Sequence, residues 1–190
     1  MEKIRLLVLS VEFYPDRLRG GGVYARNLVN LVKDYCDLNV LTLRFRKNIS
    51  LKQVIQVRVP WKITDAITFY VAYLLYLVKA IICVLKFKPH LIHACTIYDA
   101  VVPILLRKNY VAIIHGVSPF VIGKITKKIS YIVLKTAKLL IFHTRAVLMA
   151  VSILTKRREL VNSSKVAIIP ETINPNDYSY DDLYHIKRIF

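Results

Sequence analysis

Three consecutive glycines, Gly20-Gly21-Gly22, stand where an apolar segment gives way to an amphipathic one. They are three of only five glycines in a chain of 190 residues. Glycine has no Cβ atom, so the backbone here can turn tightly and approach a ligand closely. The next segment has a helical pattern, and the free N–H groups and positive dipole end of a helix favour an anion such as phosphate. The stretch Arg19–Tyr24 therefore predicts a phosphate-binding turn, with an ordinary strand-to-helix turn as the alternative.

Three histidines, His93, His115 and His143, each come after a short apolar segment. If these segments are parallel strands, the histidines lie near one edge of the sheet, where such sheets bind ligands. His115 is the strongest candidate for chemistry because Gly116 follows it and opens the backbone for a substrate. For His93 and His143 the favoured interpretation is an ordinary strand-end histidine. We predict no metal site, since no carboxylate accompanies the histidines at a recognisable spacing.

Several well-known motifs do not occur in the sequence. The glycines do not fit G-x-G-x-x-G, and the P-loop lysine pattern is not found, so neither a nicotinamide fold nor a nucleotidase is supported. The G-x-S-x-G element of serine hydrolases is also missing. The three cysteines, Cys36, Cys83 and Cys95, are odd in number and have no metal-ligand spacing. They are typical of reduced cysteines in a cytosolic protein.

Apolar segments of strand length alternate along the chain with helical patterns. The predicted strands are residues 4–10, 39–43, 54–59, 90–93, 110–114, 138–142 and 165–169. The predicted helices are residues 23–33, 64–87, 99–108, 123–136 and 144–161, with Asp99 and Thr144 as N-caps of the third and the last. This alternation predicts an α/β fold with a doubly wound, Rossmann-like parallel sheet. We place the domain at residues 1–172 and a linker or tail at residues 173–190.

The charge balance predicts an anionic partner. The chain has 29 Lys+Arg against 12 Asp+Glu, a formal net charge of +17. Between Ile122 and Lys165 the only acid is Glu159, and the cations alternate with Ile, Leu and Val at helical spacing. A basic face on an apolar helix indicates an anionic membrane surface better than it indicates nucleic acid. A solvated charged face on a core helix is the alternative.

Residues Ala66–Leu85 form an apolar segment that contains a single charge, Lys79. The segment is long enough to span a bilayer. Because another strand-like segment follows at once, we expect a helix that is buried or lies on a membrane rather than one that crosses it. The apolar run at the N-terminus is short and is followed by Glu12 and Asp16, unlike a signal peptide. We therefore expect a cytoplasmic protein, peripheral at the inner membrane face.

The order of these segments resembles the amino-terminal half of a GT-B glycosyltransferase of the retaining family 4 type. The segments that carry the resemblance are KIRLLVLS, FYPD…GGGVYARNLVNLV, KPHLIHACTIYDA, VAIIHG, LLIFHT and KVAIIPETIN. They occur in the order of the family and cover nearly all 190 residues. The resemblance implies a single acceptor-side GT-B domain. It also implies transfer of a hexosyl group from a nucleotide-sugar, without a cofactor, to a lipid-linked or glycan acceptor.

The resemblance also implies roles for particular residues. The loop that approaches the donor diphosphate comprises Gly20, Gly21, Gly22 and Val23. His115 is implied to be the catalytic residue, lying at the reacting sugar to orient it or to stabilise charge on the transferred ring. The residues implied to face the acceptor are Asp16, His93, Thr96, Tyr98 and Gly116. Dipoles and cations at the phosphates would stabilise the departing nucleotide diphosphate.

The sequence departs from the family in the part that binds the nucleotide. The family's second half supplies a basic pair and two glutamates eight positions apart, whereas the four glutamates here have no such spacing. Glu171-Thr172 stands where the family usually has Asn-Gly. We therefore expect half an enzyme, whose donor-binding domain lies on a separate chain or has been lost. The alternatives are a non-catalytic module that binds a membrane or a partner and, with less support, a basic nucleic-acid-binding protein.

Overall fold

Seven short apolar strands form one sheet in which every neighbouring pair is parallel. The structure, a computed structural model, describes residues 3–13, 20–44, 49, 51–59 and 66–170. The strands are β1 Arg5–Ser10, β2 Asp37–Leu43, β3 Val54–Val57, β4 Leu91–Ala94, β5 Tyr110–Ile114, β6 Leu139–Phe142 and β7 Val166–Ile168. Their order in the sheet is β3-β2-β1-β4-β5-β6-β7. The predicted doubly wound, Rossmann-like α/β fold is confirmed, while the predicted tail lies outside the described residues.

The helices follow the prediction with local differences. They are α1 Gly20–Val32, α2 Ala66–Phe87, α3 Val101–Leu105, α4 Ser118–Val121, α5 Lys124–Thr136 and α6 Arg145–Thr155. The short helix α4 was not predicted. The single helix predicted for residues 144–161 ends at Thr155 because Lys156 adopts a left-handed conformation with φ of 55°, and a 3-10 turn follows at Arg158–Asn162.

The two predicted N-caps have opposite outcomes. The Thr144 hydroxyl accepts a hydrogen bond from the Val147 amide at 3.2 Å, so this cap of α6 is confirmed. The Asp99 cap is wrong. Ala100 occupies the N-cap position of α3 and makes no side-chain capping bond. Asp99 instead accepts hydrogen bonds from Val11, Tyr76 and Thr96.

Alternate residues of β1 face the two sides of the sheet, as the pleat requires. Leu7 and Leu9 belong to the larger core, which also contains residues of α2, α3, α5 and α6. Leu6 and Val8 belong to a second core, in which Ala25 and Val29 of α1 cover the other face. The strand order reverses between β1 and β4, so a crevice opens at their carboxyl ends. This is the position at which doubly wound sheets bind ligands.

Helix α2 buries one stripe and exposes a broad apolar face. Ala72, Tyr76, Ala80 and Val84 recur every four residues, are at most 1% exposed and pack in the larger core. The exposed apolar face of α2 comprises Ile67, Tyr70, Val71, Leu74, Leu75, Val78, Ile82 and Leu85. By length and composition Ile67–Phe87 could cross a membrane, and only 22% of its apolar window is buried. The buried stripe nevertheless makes α2 a structural part of the sheet's covering layer.

Candidate functional site

The glycines form the first turn of α1 rather than a loop before it. The helix begins at Gly20, so the predicted start at Val23 was three residues late. A Cβ atom on Gly21 would lie 3.6 Å from His115 Nε2 and 3.8 Å from Thr96 Cγ2. The first turn of α1, whose N–H groups lack partners within the helix, therefore lies against the ends of β4 and β5. Asp16 and Arg19 lie outside the described residues.

The three histidines lie together at the carboxyl edge of the sheet, as the sequence predicted. His115 and His143 follow β5 and β6 directly, whereas His93 lies within β4 and is 6% exposed. The ring of Tyr24, on α1, lies beside all three. Its centroid is 5.8 Å from that of His93, 5.9 Å from that of His115 and 5.4 Å from that of His143. Sequence reasoning missed Tyr24, although its place in the first turns of α1 is a usable signal.

Hydrogen bonds fix the orientation of each imidazole. His115 Nε2 lies 2.8 Å from the Cys95 carbonyl oxygen, and His115 Nδ1 lies 2.8 Å from His143 Nε2. His143 Nδ1 lies 3.2 Å from the Ile169 carbonyl oxygen. His93 Nε2 lies 3.3 Å from the Tyr24 hydroxyl. Neighbouring strands are thus tied together through their histidines at the edge where a ligand would bind.

Burial keeps two of these imidazoles neutral near pH 7. It lowers the pKa of His93 to about 4, and the neighbouring His115 adds to the effect. Burial also lowers the pKa of His115 to about 4, helped by His143 and opposed by the bond to the Cys95 carbonyl. Among the described residues, no three His, Cys, Asp or Glu side chains are grouped so that they could hold a metal ion.

Asp99 is a fully buried carboxyl behind the site, and the sequence assigned it a different role. Its Oδ1 accepts hydrogen bonds from the Val11 amide at 3.0 Å and the Tyr76 hydroxyl at 2.7 Å. Its Oδ2 accepts from the Thr96 hydroxyl at 2.7 Å. Burial raises the pKa of Asp99 to about 7, although these hydrogen bonds oppose the shift. Asp99 thus connects the end of β1, helix α2 and the loop after β4.

Thr96 and Tyr98, two of the predicted acceptor-side residues, lie in the loop after β4, next to Asp99. Thr96 is held by Asp99, since its hydroxyl also accepts from the Asp99 amide at 3.3 Å. Tyr98 is 44% exposed, and its carbonyl oxygen accepts a hydrogen bond from the Tyr73 hydroxyl of α2 at 2.8 Å. Both residues, with His115 and Gly116, line the same cleft. His93 is buried behind Tyr24, and the cleft lining does not include it.

The cleft has a polar end and an apolar end. Its volume is about 1050 Å³. At the carboxyl edge of the sheet it is lined by Gly21, Thr96, His115 and Gly116. Away from the edge it is lined by side chains of α2 and α5, namely Phe69, Tyr70, Tyr73, Leu77, Ile125 and Ile129. The shape and lining suit a ligand with a polar reacting group and an apolar body.

The fold and the position of the cleft define a Rossmann-like α/β domain with a fold of the GT-B type. Solved structures with this fold include sucrose-phosphate synthase from Thermosynechococcus elongatus. A two-segment form of that enzyme matches with a TM-score of 0.63 and 14% identity over 96% of both chains. The longer form matches with a TM-score of 0.70 and 16% identity, over 98% of this chain and 53% of that one.

A second group of similar structures consists of UDP-N-acetylglucosamine 2-epimerases. The Rickettsia bellii enzyme has a TM-score of 0.55 and 9% identity, over 84% of this chain and 44% of that one. This chain thus spans about half of the longer synthase and less than half of the epimerase. No protein-family model and no curated protein sequence matches the chain. At these identities, the similarity concerns the fold alone.

Proposed function

We propose that this domain is the acceptor-side half of a glycosyltransferase, which moves a hexosyl group from a nucleotide-sugar to a lipid-linked acceptor. The observation that carries the proposal is the cleft, whose polar end joins the first turn of α1 to His115 and whose other end is apolar. The N–H groups in the first turn of α1, which have no partners within the helix, suit the donor diphosphate, as the family resemblance implies for Gly20–Val23. The apolar end suits the hydrocarbon part of the acceptor.

The nucleotide would be held by a second domain. The family resemblance places the nucleotide pocket in the other half of such enzymes, and this chain spans 53% of the longer synthase. A second domain that carries the nucleotide pocket, on this polypeptide or on a separate chain, is therefore the proposed protein partner. On this view the present domain supplies one wall of the diphosphate site together with the acceptor cleft.

The proposed location is the anionic cytoplasmic face of the membrane. The exposed apolar face of α2 lies next to the apolar end of the cleft, because Phe69, Tyr70 and Tyr73 of α2 line it. Helix α5 lines the other side and carries exposed Lys124, Lys127, Lys128 and Lys135. Apolar side chains beside lysines are the composition of an interfacial helix on anionic lipid. The buried stripe of α2 favours a helix that lies on the membrane over one that crosses it.

Replacement of His115 by alanine is expected to lower sugar transfer roughly 100-fold, the usual effect of losing one positioned polar group at a reacting centre. The measurement uses membranes of the source organism in which the chromosomal copy is replaced by each variant. Label from nucleotide-sugars is followed into the organic-extractable lipid fraction. His90→Ala is the matched control, since His90 is exposed at the amino end of β4 and hydrogen-bonds Arg5. Equal labelling with His115→Ala and with the parent chain would overturn the proposed role.

Leu74→Glu is expected to weaken binding to vesicles of phosphatidylcholine and phosphatidylglycerol at least tenfold. Leu74 is 60% exposed on α2, and withdrawal of a leucine side chain from an apolar phase costs about 1.5–3 kcal/mol. Co-sedimentation measures the effect. Leu31→Glu is the control, because Leu31 is 68% exposed on α1, on the opposite face of the sheet. If both variants bind like the parent chain, the exposed face of α2 is not the membrane contact.

The second candidate function is a non-catalytic module that binds a membrane or a partner. The exposed apolar face of α2 favours it, because such a face can bind a membrane or a protein partner without any catalytic residue. The labelling and vesicle-binding experiments distinguish the transferase from the non-catalytic module. Vesicle binding without any labelling that depends on the chain would favour the module, whereas labelling that depends on His115 would favour the transferase.

A further inference from the structure

The turn between α4 and α5 exposes three large apolar side chains within one short stretch. Val121, Ile122 and Ile125 are each between 61% and 78% exposed. Apolar side chains that are exposed singly are common on protein surfaces, whereas a group of them indicates a contact surface. We call these three residues the apolar corner. It is separate in the chain from the exposed apolar face of α2.

The backbone around the apolar corner is fixed, so its side chains are held outward. Phe120 is buried in the larger core and anchors α4. The Ile122 amide donates a hydrogen bond to the Ser118 carbonyl oxygen at 2.9 Å. Gly123 has a φ of 72°, a left-handed conformation in which the chain changes direction before α5 begins. The exposure of the corner therefore follows from how the fold is built.

Cations surround the apolar corner, and acids are missing from this part of the sequence. Lys124, Lys127 and Lys128 are exposed beside the corner on α5. No Asp or Glu occurs between Asp99 and Glu159. Lysine is depleted in protein–protein interfaces, whereas lysines beside apolar side chains are typical of segments that lie on anionic lipid. This composition favours an anionic bilayer over a protein as the partner of the corner.

The apolar corner and the exposed face of α2 border the same cleft. Ile125 of the corner and Tyr70 of α2 both line the cleft, and both are largely exposed. Helices α2 and α5 each pack against α3, on the face of the sheet that the larger core covers. The two exposed apolar surfaces therefore lie on one side of the domain, with the opening of the cleft between them.

We propose that the apolar corner inserts into the same anionic bilayer as α2, so that the cleft opens towards the lipid between two membrane contacts. A helix that lies alone on a membrane can roll about its own axis, whereas a second contact across the cleft fixes the orientation of the domain. The membrane contact does not depend on sugar transfer. If the proposed function also holds, a lipid-linked acceptor would enter the cleft from the bilayer without passing through water.

Tryptophan probes test the insertion directly. Ile122→Trp and Ile125→Trp place a fluorescent side chain at the corner, and the chain's single native tryptophan, Trp61, is replaced by phenylalanine in every sample. On vesicles of phosphatidylcholine and phosphatidylglycerol with brominated acyl chains, both probes are expected to lose roughly half or more of their fluorescence. Leu31→Trp is the matched control, because Leu31 is exposed on α1 on the opposite face of the sheet. Corner probes that are quenched no more than this control would overturn the proposal.

Ile122→Glu tests the same contact with the native tryptophan in place. Co-sedimentation with unbrominated vesicles of the same lipids is expected to show binding about tenfold weaker or more, since a charge replaces an inserted apolar side chain. Leu31→Glu adds the same charge on the opposite face and should bind like the parent chain, and circular dichroism checks that both variants fold. If Leu74→Glu weakens binding while folded Ile122→Glu does not, the membrane contact is confined to α2 and the proposal is wrong. Neither measurement needs a substrate, so a failure here is distinguishable from a failure of the labelling experiment.

Discussion

Replacement of Asp99 by alanine is expected to lower the free energy of unfolding by about 3–5 kcal/mol. The change removes the acceptor for the amides of Val11 and Thr96 and for the hydroxyls of Tyr76 and Thr96. Tyr76 is fully buried and Val11 is 5% exposed, so the donors near them lose a partner that water cannot easily replace. Each buried donor left without a partner costs about 1–3 kcal/mol. Urea denaturation at pH 7, followed by circular dichroism, measures the loss.

Two further variants separate the hydrogen bonds of Asp99 from its charge. Asp99→Asn keeps an oxygen for Val11 and Tyr76 and turns an N–H toward Thr96, so we expect a loss of about 1 kcal/mol or less. Tyr76→Phe removes one of these bonds, and its free energy of unfolding should fall between those of Asp99→Asn and Asp99→Ala. If Asp99→Ala is as stable as Asp99→Asn, the carboxyl does not hold these elements together. The position of the loop after β4, which lines the cleft, would then need another explanation.

The fold could be predicted because its signals are local. Strand β5 was predicted at its observed bounds from the run of apolar residues alone, and helix α5 was predicted to within one residue. Thr144 was identified as a cap because a hydroxyl that precedes a helix can reach only its first-turn amides. The shared edge of the three histidines followed from parallel strands, whose carboxyl ends meet on one side of the sheet.

Two partners of Asp99 and the rings around Tyr24 could not be predicted, because they lie far away along the chain. Asp99 bonds the amide of Val11, 88 positions earlier, and the hydroxyl of Tyr76. A local rule could see only that an aspartate preceded a short helical segment, and it therefore assigned an N-cap. Tyr24 contacts the rings of His93, which lies in β4, and of His115 and His143, which follow β5 and β6. Its place in the first turns of α1 indicates that it lies near the cleft, but it does not indicate these partners.

The glycines show how tertiary contacts outweigh helix propensity. Glycine costs about 1 kcal/mol relative to alanine inside a helix, which favoured a loop at residues 20–22. In the structure these residues form the first turn of α1. A Cβ atom on Gly21 would lie 3.6 Å from His115 Nε2, which is van der Waals contact. The phosphate-binding role predicted for this stretch depends on its position at the cleft. That position is the same whether the glycines form a loop or a helical turn.

Acidification from pH 6.5 to 4 is expected to destabilise the protein through two buried histidines. The pKa of His93 falls from 6.5 to about 4 on folding, and that of His115 falls by a similar amount. In this range the unfolded chain binds protons that the folded chain excludes, so stability is lost as the pH falls. A shift of this size corresponds to about 3 kcal/mol for each histidine.

Asp99 acts in the opposite direction over an overlapping range. Its pKa rises from 3.8 to about 7 on folding, so the folded protein binds a proton that the unfolded chain releases. Its contribution therefore increases as the pH falls from 7 to 3.8, by about 4 kcal/mol. The stability lost through the two histidines is larger than the stability gained through this single carboxyl. The parent protein should thus lose stability on acidification, by less than the histidines alone would cause.

The variants make this balance measurable. Asp99→Asn removes the opposing carboxyl, so its free energy of unfolding should fall more steeply than that of the parent chain between pH 6.5 and 4. His93→Gln removes one of the two histidines that cost stability on acidification. Its free energy of unfolding should therefore fall less steeply with pH, by about half of the slope expected for Asp99→Asn. Urea denaturation at several pH values gives these curves. A parent protein that gains stability on acidification would mean that the histidines are not held neutral by burial. Curves of equal slope in the parent chain and Asp99→Asn would mean that Asp99 remains ionised behind the cleft.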